Sequence, residues 1–352
     1  MEYLIGNKQL FIDFLNNIKK EDKIAILTHD DLDGIASSIF LEKILEKKGF
    51  KPELIEFLKI KPLMLKEKAN ELKEKGITKI LMADISCESI DEENFQILKK
   101  EIDTLLIDHH PINPELKDKE KIIKTDSHNC AAQIIFELGK EYLDVKEWAW
   151  LLCATMFAEF SYTKKENLEF MRQFYPELTE ENIATSTPGV NARKMSNATL
   201  YFDKDLHHVR QIILKKNMEE LNHAFEIIEE EINKATEDFS KNKELFEDQK
   251  IYWYEFSPKF NIASVVATII SKMKTDYTII VLTLGEKYTK VSARNQSGNK
   301  DMNLLMKQGI KGLNNSSGGG HVKASAARFQ TEDLEKFKRN ILDKSEQKRL
   351  IE

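Results

Sequence analysis

"AILTHDDLDGIASSIF", residues 25–40, carries an apolar run straight into His29, Asp30, Asp31 and Asp33, and then into a helical pattern. "KIAILTH" (23–29) has the unbroken apolar character of a buried strand, and "GIASSIFLEKILEKKG" (34–49) the spacing of a helix that stops at Gly49. The unit then repeats. "PELIEFL" (52–58) reads as a strand, "LMLKEKANELKEKG" (63–76) as a helix, and "TKILMADI" (78–85) and "IDTLLIDHH" (102–110) as further strands. Strands and helices alternating at this spacing predict an α/β fold, a parallel sheet with helices on both faces. Such sheets bind ligands beyond the carboxyl ends of their strands. "THDD", "ADIS" and "DHH" all fall at those ends.

The 352 residues are enough for two domains. From Ala131 to about Leu200 the pattern is mostly helical, and 206–247 is a charged amphipathic stretch without Pro or Gly. Strand character returns at 250–256, followed by a helix at 262–274 and strands at 277–285 and 288–295. The expected domains are 1–205, a helical linker 206–248, and a smaller α/β domain 249–352. With 53 Lys+Arg against 59 Asp+Glu the net charge is −6, which argues against a protein that coats long duplex DNA. Cys87, Cys130 and Cys153 are too few and too scattered for a disulfide framework or a zinc site, and read as buried thiols. No stretch approaches the ~18 apolar residues of a membrane span. A cytoplasmic protein is expected.

Taken singly, each polar cluster has an ordinary reading. Asp31 and Asp33 suit the cap and first turn of a helix, Asp84 a loop, and His109-His110 before Pro111 a turn. Taken together at strand ends, the crowded carboxylates of three separated clusters repel one another unless a cation sits among them. Carboxylate and imidazole without thiolate suit manganese, magnesium or iron. A carboxylate that bridges two such ions gives the arrangement used for in-line attack on phosphorus.

"HDDLDG", "MADIS" and "DHHP", in this order, resemble the first three motifs of the DHH phosphoesterase superfamily, and "SSGGGHVKASAARF" (316–329) resembles its companion DHHA1 domain. The first motif is more similar to the RecJ-type exonuclease pattern than to that of the pyrophosphatase branch. The resemblance implies Asp31 and Asp33 as metal ligands, with His29 on or beside a metal and Asp84 bridging two metals. It implies His109 as ligand to the second metal, Asp108 as its support, and His110 beside the scissile phosphate. Glu159 of "CATMFAEFSY" stands where the family places a metal-binding aspartate. A loop of Gly318, Gly319, Gly320 and His321 would grip the substrate's phosphates or terminal nucleotide, and Arg294 would meet a phosphate. The implied cofactor is a pair of Mn²⁺ ions, with Mg²⁺ as the alternative. The implied activity is hydrolysis of short single-stranded RNA or DNA to nucleoside monophosphates. Small nucleotides such as 3′-phosphoadenosine 5′-phosphate or dinucleotides form a second substrate class, and a non-catalytic scaffold in a replication or repair assembly is the third reading.

Overall fold

The computed structural model describes residues 1–59, 64–203 and 205–343. The helix expected at 63–76 is therefore described from Met64, and the last nine residues of the expected second domain lie outside the described residues. The chain forms two compact units, Met1–Phe225 and Glu226–Glu352.

In the first unit α1 (Lys8–Asn16) precedes β1 (Ile24–His29), α2 (Leu32–Lys47), β2 (Leu54–Leu58), α3 (Met64–Glu74) and β3 (Lys79–Ala83). Then come α4 (Cys87–Ile90), α5 (Glu92–Glu101), β4 (Asp103–Asp108) and β5 (Ile122–Lys124). The helical part is α6 (Ala131–Leu138), α7 (Val145–Ala158), α8 (Lys165–Arg172), α9 (Thr187–Tyr201) and α10 (Leu206–Leu214). The strands pair in the order β2-β1-β3-β4-β5, all parallel. Alternation along the strands divides the core in two. Ile24, Ile26, Leu81, Ala83, Leu105 and Ile107 face α2, α6 and α7, whereas Ala25, Leu27, Ile80, Met82 and Leu106 face α3 and α5. This is why the strands read as continuous apolar runs. The chain leaves β1 toward β2 and then crosses back to β3, so the crevice beyond β1 and β3 is the topological switch point.

Asp31 caps α2, its Oδ1 accepting from the Gly34 N–H at 3.1 Å. A Cβ on Gly34 would lie 2.0 Å from the His29 carbonyl oxygen, so only glycine lets the first turn of α2 lie on the end of β1. The three cysteines are free and buried. No described helix is long and apolar enough to cross a membrane.

The stretch 206–247 forms α10, then α11 (Met218–Asn242), which spans the division between the units, and then β6 (Glu244–Phe246). The second unit continues with β7 (Ile251–Phe256), α12 (Ala263–Met273), β8 (Thr278–Leu284) and β9 (Tyr288–Arg294). It ends with α13 (Met302–Gly309), β10 (Ser317–Gly320), β11 (Ala324–Gln330) and α14 (Leu334–Leu342). Its sheet runs β10-β11-β9-β8-β7-β6, parallel between β7 and β8 and otherwise antiparallel. The run Gly318-Gly319-Gly320, expected as a loop, is the edge strand β10, paired in register with Ser325–Ala327. The reason is packing. A Cβ on Gly318 would stand 3.1 Å from the Met306 carbonyl oxygen, so the bare strand admits α13 against it.

Candidate metal centre

Asp84 stands at the middle of the cluster. It follows β3 directly, is buried, and has a left-handed φ of 60°. Its N–H donates to the Ile107 carbonyl at 3.0 Å. Such a conformation is uncommon outside glycine, though aspartate tolerates it better than most, and here it turns the carboxylate in at the switch point. Asp84 Oδ1 lies 3.3 Å from His109 Nε2, and its Oδ2 lies 3.9 Å from His29 Nδ1. Two groups of three donors share it, with ligand atoms within 4.8 Å of one another: His29, Asp31 and Asp84, and Asp84, His109 and His110. The two groups fall at the ends of β1, β3 and β4.

The other predicted ligands arrange themselves around these groups. Asp33, fully buried in the first turn of α2, has an oxygen 3.7 Å from His109 Nε2. Its carboxylate also accepts from the N–H groups of Ala131 and Ala132 at 2.7 and 2.8 Å, so the N-terminus of α6 holds it. Glu159 closes α7 and interacts electrostatically with Asp33, Asp31 and His29, outside both donor groups. Asp30, outside both donor groups, pairs through one oxygen with Lys59 Nζ at 3.0 Å and lies 3.4 Å from His29 Nε2 through the other. His110 belongs to a donor group, while its Nδ1 is 2.8 Å from Asp108 Oδ1.

The charges are strained without a cation. Burial, then the charges of Asp33, Asp31, Glu159 and Asp108, push the Asp84 carboxyl well above the usual range. Burial followed by Asp33 and Asp31 does the same to Glu159. Burial also raises Asp33, against the pull of His109 and the α6 N–H groups. Asp31 moves the other way. Burial opposes its charge, but the 2.6 Å hydrogen bond from His29 prevails and holds it at about 2. Burial likewise opposes a charge on His29, yet the same bond and the charges of Asp31 and Asp30 raise it to about 9. Asp84 Oδ2 and His109 Nδ1 are buried without a hydrogen-bond partner. Orphaned buried donors and acceptors, a surplus of carboxylates and three imidazoles fit a hard or borderline divalent ion.

In the second unit Arg294 ends β9, opposite Ala324 in β11. Its guanidinium donates to Ser264 Oγ at 2.7 Å, Thr268 Oγ1 at 3.2 Å and the Ala293 carbonyl at 2.9 Å. Among the described residues no carboxylate pairs with it, and burial lowers its pKa. Gly320 closes β10 at this same end of the sheet, opposite Ser325, and the exposed His321 begins the turn into β11. The Gly320 N–H donates to Asn303 Oδ1 at 3.3 Å.

Residues 23–156 match the N-terminal domain of the DHH family, and residues 249–346 match the DHHA1 domain. The chain belongs to the DHH superfamily. No curated protein matches its sequence. Among solved structures, RecJ of Thermus thermophilus in complex with Mn²⁺ superposes with a TM-score of 0.70 at 13% identity, covering 95% of this chain and 53% of RecJ. The DHH protein thus spans about half the length of that relative. An exonuclease RecJ bound to manganese gives 0.68 at 14% identity, covering 96% and 94%. CDC45 from Entamoeba histolytica gives 0.58 at 11% identity, covering 95% and 97%. At these identities the likeness is one of fold.

The DHH domain also contains two charged residues that the sequence did not single out. Lys124 Nζ lies 2.8 Å from Asp108 Oδ2 and pairs with Glu88, and none of these three side chains is exposed. Lys124 comes from the three-residue β5, opposite Asp108 in β4, and Glu88 from the short α4. The one sequence signal was a lysine closing an apolar pair in "KIIK" (121–124).

Proposed function

We propose that this protein is a Mn²⁺-dependent phosphodiesterase that shortens single-stranded oligonucleotides from one end and releases nucleoside monophosphates. The observation that carries the reading is the sharing of Asp84 by two donor groups at the switch point of the sheet. His29, Asp31, Asp33, Asp84, His109 and Glu159 would hold two metal ions. Bound there, such ions supply positive charge to the phosphoryl oxygens and lower the pKa of water. His110, with Nδ1 committed to Asp108, keeps Nε2 for the phosphate or the leaving oxygen, where it can donate a proton. Structures of RecJ with Mn²⁺ and with Mg²⁺ support this metal class.

In the DHHA1 domain the proposed phosphate grip is Arg294 with Gly318, Gly319, Gly320 and His321. A guanidinium positioned by hydroxyls and a carbonyl, without a carboxylate partner, retains its charge for an anion. Arg294→Ala is expected to raise KM by roughly 10–100-fold with kcat nearly unchanged, because the contact is made equally in ground and transition states. Steady-state kinetics on a trinucleotide would check this, and Arg294→Lys should restore only part of the loss.

The deciding experiment is hydrolysis with Mn²⁺ across a length series of RNA and DNA from dinucleotides upward, with 3′-phosphoadenosine 5′-phosphate alongside. Stepwise release of monophosphates from short oligomers is the expected result. Turnover of the bisphosphate or of dinucleotides alone would move the assignment to the small-nucleotide class. Mn²⁺ binding without hydrolysis of any of them would favour the scaffold reading.

A further inference from the structure

Glu88, Lys124, Asp108 and His110 form a continuous chain of charged and polar contacts that runs from α4, across the carboxyl ends of β5 and β4, to the candidate metal centre. Glu88 pairs with Lys124, Lys124 Nζ lies 2.8 Å from Asp108 Oδ2, and Asp108 Oδ1 lies 2.8 Å from His110 Nδ1. The first three side chains have no exposure, and His110 is about one-third exposed. Registration of β5 on β4 sets Lys124 opposite Asp108. On the outer side of β5 the Lys124 backbone pairs with Leu4 and Ile5, which covers that edge.

A fold that needed only to fill this space would be served as well or better by apolar residues, since buried ion pairs are often no more stabilising than well-packed hydrophobic ones. What the chain of contacts adds is direction. With Oδ1 bonded to His110 Nδ1 and Oδ2 held by the charge of the Lys124 ammonium 2.8 Å away, the fully buried Asp108 carboxylate is restrained and offers His110 one acceptor in one plane. The imidazole is thereby held with Nδ1 inward and Nε2 toward the site.

We infer that Lys124, held in turn by Glu88, is a positioning residue that acts through Asp108 to orient His110 for the reaction; this rests on the phosphodiesterase reading above. Neither residue belongs to a donor group. The effect is therefore on the turnover step, of the ~10–100-fold size seen when residues supporting a metal site are lost.

The test separates orientation from folding. Lys124→Met strands Glu88 as a buried anion and is expected to lower the melting temperature as well as kcat. Lys124→Met combined with Glu88→Gln removes both charges and should regain most of the melting temperature while kcat stays roughly 10–100-fold down. KM and Mn²⁺ affinity by calorimetry should stay within about 3-fold of wild type. A second readout uses the metal-free protein. The proton on His110 Nδ1, protected in wild type by its bond to buried Asp108, should exchange faster in the double variant by NMR. A double variant with wild-type kcat and an unchanged Nδ1 proton would overturn the inference and leave the pair a structural role. Failure of the parent reading shows itself separately, as a wild type that hydrolyses none of the substrates, and the NMR comparison then still decides the positioning.

Discussion

Asp84→Asn is expected to lower kcat/KM by at least roughly 10³-fold, the loss that follows when charge stabilisation by a metal pair is disrupted. Both donor groups contain Asp84, so one substitution weakens both. Titration calorimetry should show Mn²⁺ affinity falling, with one site lost or both weakened. Asparagine accepts the left-handed conformation at this position at least as well as aspartate, so backbone strain cannot account for the loss. The same variant should be more stable than wild type when metal is removed. Asp84's pKa is raised in the folded protein, first by burial and then by neighbouring carboxylates. A raised carboxyl binds its proton more tightly folded than unfolded. Metal-free stability therefore falls as pH climbs from the ordinary carboxylate range toward the raised value. Asparagine mimics the protonated form and removes that fall. Melting curves in chelator between pH 4 and 8 would measure it, and parallel curves for variant and wild type would contradict the charge-crowding account.

Asp31 separates two roles that share one side chain. Oδ1 caps α2 through the Gly34 N–H, and Oδ2 lies 2.6 Å from His29 Nδ1 in the first donor group. Asparagine is as good a cap as aspartate. Asp31→Asn should therefore keep the cap while losing the anion, so activity falls roughly 10²-fold, as expected when a few kcal/mol of charge stabilisation are lost. Asp31→Ala should lose activity similarly and also destabilise the protein by about 1 kcal/mol, the usual loss of a helix cap. Comparing melting temperatures of the two variants isolates the cap, and comparing their Mn²⁺ affinities isolates the anion. The depressed pKa of about 2 means Asp31's contribution is present above the ordinary carboxylate range and fades as pH falls toward 2. The alanine variant should lack that acid-limb loss. If Asp31→Asn retained wild-type turnover, Asp31 would be a cap and nothing more.

The ordinary reading of Asp31 as a helix cap and the chemical reading of it as a ligand candidate thus describe the same residue. Neither excludes the other, because a carboxylate has two oxygens and the end of a strand adjoins the start of the next helix. The glycine run differs. Three glycines in sequence suggest a loop, but pairing with Ser325–Ala327 and the approach of α13 make them an edge strand. No local pattern carries that information.

The alternation of apolar strands and amphipathic helices, with acids and imidazoles where strands end, was sufficient to predict the parallel sheet and the edge at which chemistry gathers. That is so because side-chain periodicity and strand polarity are properties of the backbone itself. The shared role of Asp84 was already implied by the motif resemblance; only the tertiary structure decided that Asp33 is held by the N-terminus of α6, and that Glu88 and Lys124 stand behind Asp108. Those contacts join residues up to 99 positions apart in the chain, as Asp33 and Ala132 show. They are brought together by strand order and register, and β5 is too short, at three residues, to show a period.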